Sequence, residues 1–150
     1  MDNEGVRRLV AVVLAGYVAV LLYALLTPSA EVPSSSVGRL ADLMRSLGAP
    51  ERILVADRVE FLANVAILVP ATALASWLWR SPTWRDWTAY GFVFAGGVEV
   101  VQALLLPARS ATYVDVVANT LGALGGAALV ALARLAHARS SHSADLPSNM

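Results

Sequence analysis

Four stretches of the chain stay apolar long enough to cross a lipid bilayer, and they organise everything else in the sequence. A helix needs about 20 apolar residues to span about 30 Å of hydrocarbon. Residues 9–26, 61–79, 88–106 and 113–132 each approach or meet that length. The first follows Arg7 and Arg8, as the apolar core of a secretory signal would. Its 18 residues exceed the usual signal core of about 7–15, and Pro28-Ser29-Ala30 puts a proline where cleavage wants a small residue. A retained helix is the expectation. The pattern therefore predicts an all-α fold: a polytopic membrane protein built as a bundle of four transmembrane helices.

The connections follow the same logic. Residues 80–87 form a short loop, and residues 27–58 form the one long loop. Within the long loop Val37, Leu40, Met44 and Leu47 recur at helical spacing, with Arg39, Asp42 and Arg45 between them. Gly48 and Pro50 stop the pattern. This predicts a short amphipathic helix, lying on the membrane surface or over the mouth of the bundle. Residues 1–8 make a short N-terminal tail, and the serine-rich tail 139–150 is expected to be disordered. With no internal repeat, residues 1–150 read as a single membrane domain.

Composition strengthens the membrane reading. The chain has 150 residues, of which 57% are hydrophobic and 15% charged, and its mean hydropathy is +0.62. A soluble domain carries nearer a quarter of charged residues. The eleven basic residues, all arginine, are balanced by eleven acids, so no basic face calls for nucleic acid. Cysteine is absent, which removes disulfides, thiolate metal sites and a cysteine nucleophile together. The two histidines, His137 and His142, fall in the C-terminal region. No cofactor and no metal site is expected.

Charge also orients the bundle. Four spans place both termini and the 80–87 loop on one side, with Arg7, Arg8, Arg80, Arg85, Arg134 and Arg139. The other side holds Arg39, Arg45, Arg52, Arg58 and Arg109. The positive-inside rule then favours cytoplasmic termini and an extracytoplasmic long loop. Trp77, Trp79, Trp84 and Trp87 gather around the short loop and suit an interfacial aromatic belt.

The polar residues inside the spans are few, and they converge. A charge at mid-helix costs about 2.5–3.5 kcal/mol on insertion scales, whereas an interhelical hydrogen bond returns only about 0.6 kcal/mol. Such a group must be paired, protonated or wetted. Glu60 and Asn64 open the second span, Glu99 and Gln102 close the third, Asp115 and Asn119 open the fourth, and Arg109 lies in the turn between. All seven belong to one membrane level. Glu99 and Gln102 share a helix face, as do Asp115 and Asn119, and the latter face continues through Gly122 and Gly126 as a small-residue seam. On the second span Glu60 and Asn64 are expected to share an inward face with Ala71 and Ala75.

From Val59 onward the chain resembles the VanZ-like family of bacterial membrane proteins. The resemblance rests on Asn64-Val65-Ala66-Ile67-Leu68-Val69-Pro70, on Glu99-Val100-Val101-Gln102, on Pro107-Ala108-Arg109, and on Asp115-Val116-Val117-Ala118-Asn119-Thr120-Leu121-Gly122-Ala123. One departure is Thr72, where the family usually has glycine two residues after the proline. The resemblance implies a multi-pass protein of the bacterial plasma membrane, with Pro70, Gly122 and Gly126 as helix-packing residues. It also brings an association with resistance to teicoplanin-type glycopeptide antibiotics, but no reaction.

The candidate site is therefore Asn64, Glu99, Gln102, Arg109, Asp115 and Asn119, each with two open readings. Glu99 is a proton-accepting or anion-repelling group in an outward-facing site, or the partner of Arg109. Arg109 grips a phosphate or carboxylate with its planar fork, or braces the turn with Asp115. Asp115 contacts a ligand, or serves the dipole at a helix N-terminus. The three amides are interhelical hydrogen-bond partners or ligand contacts. The leading expectation is a non-enzymatic protein that binds a lipid headgroup or lipid-linked envelope precursor at this pocket. The alternatives are an intramembrane hydrolase or transferase, or a transporter that would need a homo-oligomer.

Overall fold

A computed structural model describes residues 3–27, 31–106 and 112–144. Its helices are α1 (Asn3–Leu26), α2 (Glu31–Ser46), α3 (Ala56–Leu78), α4 (Trp84–Leu105) and α5 (Tyr113–Ala144), with one turn of 3-10 helix at Glu51–Ile53. No strand occurs among the described residues. Helices α1, α3, α4 and α5 are the four that are long and apolar enough to cross a membrane. The four expected spans are all present, each extended beyond its apolar run. The extensions carry Arg7, Arg8, Asp57 and Glu60, because a helix keeps its own backbone hydrogen-bonded on leaving the hydrocarbon.

Helix α2 begins earlier than the apolar spacing suggests. Pro33 falls in its first turn, where a missing N–H breaks no intrahelical bond. Its end was legible: the Ala49 amide donates to the Met44 carbonyl and the Gly48 amide to the Arg45 carbonyl, both at 3.0 Å. This 6→1 and 5→2 pair is a Schellman closure, and it needs the φ of +82° that Gly48 supplies. Helix α2 packs against α3. At the other end of the chain the expected disordered tail is corrected in part. Helix α5 continues through Ala144, and residues 145–150 lie outside the described residues.

Helix α5 is the spine of the bundle, lying along α3 on one side and α4 on the other, while α1 leans on α3 and α4. The seam with α3 is made by glycine. A methyl group at Gly122 would run into the Val65 carbonyl oxygen, and one at Gly126 into the Val69 carbonyl oxygen and, at 2.9 Å, the Ala73 nitrogen. Backbone thus meets backbone, with Thr72 lying opposite Gly126. On the α4 side Gly91 leaves room for the Ala123 methyl group, so there a side chain rather than backbone fills the gap. Two features differ from expectation. Glu60 is exposed rather than on an inward face, although Ala71 and Ala75 do turn inward, in a cluster with Leu14, Leu78 and Trp87 against α1. Pro70 is exposed on the outward side of α3, so it contributes no packing to that seam.

Much apolar surface stays uncovered, including Val12, Val20, Val93 and Leu104. In water this would be an aggregation surface; against lipid tails it costs nothing.

Candidate functional site: the polar mouth

The α2 end of the bundle, where α3 begins, α4 ends and α5 begins, carries the polar cluster. Its geometry is built from a helix cap. Thr112 precedes α5, and Asp115 stands three residues on, the T-x-x-D spacing of a capping box. The Asp115 amide donates to Thr112 Oγ1 at 3.3 Å, and the Thr112 hydroxyl donates to Asp115 Oδ2 at 3.0 Å. In a closed box the same carboxylate would also take the Thr112 amide. Here that amide donates instead to Glu99 Oε2 of α4, at 2.7 Å. Asp115 Oδ1 is thereby free to accept from Asn64 Nδ2 of α3.

The closed form exists in the same chain for comparison. At the start of α4 the Thr83 amide and hydroxyl both donate to Asp86 Oδ2, at 2.7 and 2.8 Å. The Asp86 amide donates back to Thr83 Oγ1 at 3.4 Å. The α5 cap is an opened version of that box, with Glu99 supplying the missing half. Thr112 and Asp115 together then tie α3, α4 and α5, and the positive end of the α5 dipole faces both carboxylates.

The remaining candidates fall into three groups. Gln102 is buried, but it turns away from the cap: its Nε2 donates to the Leu25 carbonyl at 2.8 Å. It therefore satisfies one of the last carbonyls of α1, which have no helical donor. Asn119, one turn below Asp115, is 6% exposed, and its Oδ1 has no hydrogen-bond partner among the described residues. A buried acceptor left unpaired costs about 1–3 kcal/mol. Among the described residues of the cluster Asn119 has such an unmet demand. Arg109, with the rest of 107–111, lies outside the described residues. Glu60 is exposed near the start of α3. Among the described residues no group of acids and histidines is arranged to hold a metal ion.

Thr112 was not singled out in the sequence, although Thr112-x-x-Asp115 at the head of an apolar run is a readable signal. Three further polar contacts had none. Tyr17 of α1 donates to the Ile67 carbonyl at 2.7 Å, next to the carbonyl of Ala66, whose helical donor Pro70 lacks. Arg7 donates to the Leu78 carbonyl at 3.2 Å, and Arg134 donates to the Ser76 carbonyl. Both arginines close the C-terminal end of α3, where cations oppose the helix dipole.

These features define a class: a small multi-pass helix bundle, sewn by a glycine seam, with its intramembrane carboxylates and amides drawn to one mouth. Within that class the chain belongs to the VanZ/LLP1 family, whose model matches residues 14–134. The match runs from the middle of α1 to Arg134 in α5, and so includes every residue of the polar mouth. No significant match occurs among curated proteins or among solved structures.

Proposed function

We propose that the protein binds the headgroup of a lipid or lipid-linked envelope precursor at the polar mouth, without turning it over. In this reading the protein sits in the bacterial plasma membrane with cytoplasmic termini, so that the mouth opens to the outer leaflet. The arginine count of the two sides and the tryptophan belt support that orientation.

The observation that carries the reading is the unpartnered, buried oxygen of Asn119 beneath two carboxylates. Within the mouth the Thr112 amide and hydroxyl and the Asn64 amide donate to Glu99 and Asp115, while Asn119 Oδ1 has no donor among the described residues. A hydroxyl- or amine-bearing headgroup supplies the donors that such a surface lacks. Arg109, ten residues after Glu99, supplies a planar fork for the phosphate. Occupancy of the precursor in this way would alter access of glycopeptides to the cell surface.

The test is native mass spectrometry of the protein released from its own membranes. The expected result is a specific lipid adduct in wild type that disappears in Asn119→Leu and Arg109→Ala. An adduct spectrum unchanged in both variants discards the pocket.

A second reading is favoured by one feature, the convergence of two carboxylates on Thr112. Two such groups within reach of one residue suit general acid–base work on a lipid-linked substrate. Turnover of a lipid-phosphate substrate by purified protein, lost in Glu99→Gln, would place hydrolysis or transfer above binding. Transport requires an oligomer, and crosslinking in native membranes tests that directly.

A further inference from the structure

The opposite end of the bundle, where both termini lie, carries two adjoining clefts that play no part in the polar mouth. Their volumes are about 350 and 590 Å³, in the range of about 300–1,000 Å³ usual for small-ligand sites. Both are lined by Arg80 and Arg134. Ser76 and Trp84 line the first, and Trp77 the second, over a floor of small apolar residues from α5.

Among the described residues no acid inside the clefts faces Arg80 and Arg134. The nearest acid in sequence, Asp86, is held by Thr83 in its capping box, and Glu4 is paired with Arg8. Arg134 is anchored by one nitrogen on the Ser76 carbonyl, which fixes its position and leaves other N–H groups of the fork to donate. Arg80 is exposed and makes no ion pair or hydrogen bond among the described residues.

Depth decides between a dissolved and a lipid-borne anion. Trp77 and Trp84 flank the clefts half-exposed, at 40% and 46%, and tryptophan settles at the headgroup level. Arg85 lies over the Trp84 ring at 5.2 Å, adding a further cation to that rim. Apolar walls below and guanidinium groups above match a glycerophosphate with its acyl chains still in the bilayer. We infer that the Arg80–Arg134 clefts form a binding site for the phosphate of an anionic phospholipid, separate from the polar mouth.

All four tryptophans occur between positions 77 and 87, so intrinsic fluorescence reports from this end of the protein. The experiment reconstitutes the full chain in phosphatidylcholine vesicles and titrates in brominated phosphatidylglycerol or brominated phosphatidylcholine as quencher. Phosphatidylglycerol should quench at lower mole fraction. Arg80→Gln should weaken that preference by about fivefold, the factor one arginine contributes near an anionic headgroup. Arg8→Gln, which removes a charge at the same end but outside the clefts, should leave the preference intact, and millimolar inorganic phosphate should not relieve the quenching. Equal quenching by the two lipids overturns the inference, as does equal loss in the Arg8 and Arg80 variants. Relief by inorganic phosphate overturns the lipid assignment in favour of a soluble anion.

Discussion

Adjacent glycines on α5 provide a sharp test of the seam. Gly125→Ala and Gly126→Ala are the same chemical change one residue apart, so the gain in helix propensity, about 1 kcal/mol for alanine over glycine, is common to both. Their surroundings differ. At Gly125 the new methyl would sit 3.6 Å from a Val69 methyl, an ordinary contact. At Gly126 it would lie 2.9 Å from the Ala73 nitrogen and 3.1 Å from the Thr72 Cβ, and closer still to the Val69 carbonyl oxygen. Relaxed contacts need about 3.5–4.0 Å, and backbone atoms of a helix have no rotamer by which to yield. Helix α3 must therefore retreat by about 0.5–1 Å, a gap that forfeits a quarter to a half of each dispersion contact along the seam. Overpacking of this kind costs about 1–3 kcal/mol. Gly125→Ala should be as stable as wild type or more so, and Gly126→Ala less stable than Gly125→Ala by about 2 kcal/mol, near 30-fold in the unfolding constant. Unfolding in mixed micelles with increasing dodecyl sulfate, followed by tryptophan fluorescence, measures the difference. Coincident midpoints would refute backbone contact as what joins α3 to α5.

Three further outcomes follow from the hydrogen bonds. Gln102→Leu removes the donor to the Leu25 carbonyl and should cost about 0.6 kcal/mol, the average for an interhelical bond in a membrane, in the same unfolding assay; no loss would mean that α1 does not use that tie. Tyr17→Phe deletes the bond to the Ile67 carbonyl while keeping the ring, and should lower stability by a similar amount of about 0.5–1 kcal/mol; an unchanged midpoint would count against the contact. A double-mutant cycle on Asn64→Leu and Asp115→Ala should show coupling of about 0.6 kcal/mol, the average for an interhelical bond; strictly additive losses would separate α3 from the cap.

The spans and the level of the polar residues were legible because both follow from length and topology. An apolar run of 18 residues or more has one use, and helices that alternate in direction must bring the start of α3, the end of α4 and the start of α5 to one side. That reasoning put Asn64 and Asp115 at one level, and the structure adds the hydrogen bond between them across 51 positions. It also placed Gly122 and Gly126 on one seam, since glycine at i and i+4 on an apolar helix exposes backbone to a neighbour. It did not say which neighbour each inward side chain would meet. Ala71 and Ala75 do lie on the face of Asn64, as 3.6 residues per turn requires, but at their depth that face meets α1. Pro70, read as packing, faces outward. Gln102 is an interhelical hydrogen-bond partner, one of its two expected readings, but neither depth nor the face shared with Glu99 says that its amide reaches the end of α1. The carbonyls that receive Tyr17, Arg7 and Arg134 carry no side-chain signature at all, so those bonds existed in no pattern that could be read.

How α1 is held shows why the polar contacts sit where they do. Lipid tails are as apolar as leucine, so a transmembrane helix gains little by exchanging lipid for an apolar neighbour. Helices α3 and α5 answer this with glycine, which lets backbones approach until dispersion is dense. Helix α1 has no such seam: Gly16 is exposed, and nothing lies within 4 Å of where its Cβ would be. Its described ties are instead directional and spread along its length. Arg7 reaches the end of α3 at the termini side, Tyr17 reaches the α3 backbone at mid-depth, and Gln102 reaches the end of α1 from α4 at the polar mouth. Each uses a backbone carbonyl as acceptor, so each fixes height along the bundle axis without demanding a particular neighbouring side chain. Sliding α1 by one residue, about 1.5 Å, would stretch all three at once. Apolar packing alone would barely register such a slip. Register in this bundle is therefore set by a few hydrogen bonds that are individually weak, and at the polar mouth one of them holds α1 while a separate cap joins the other three helices.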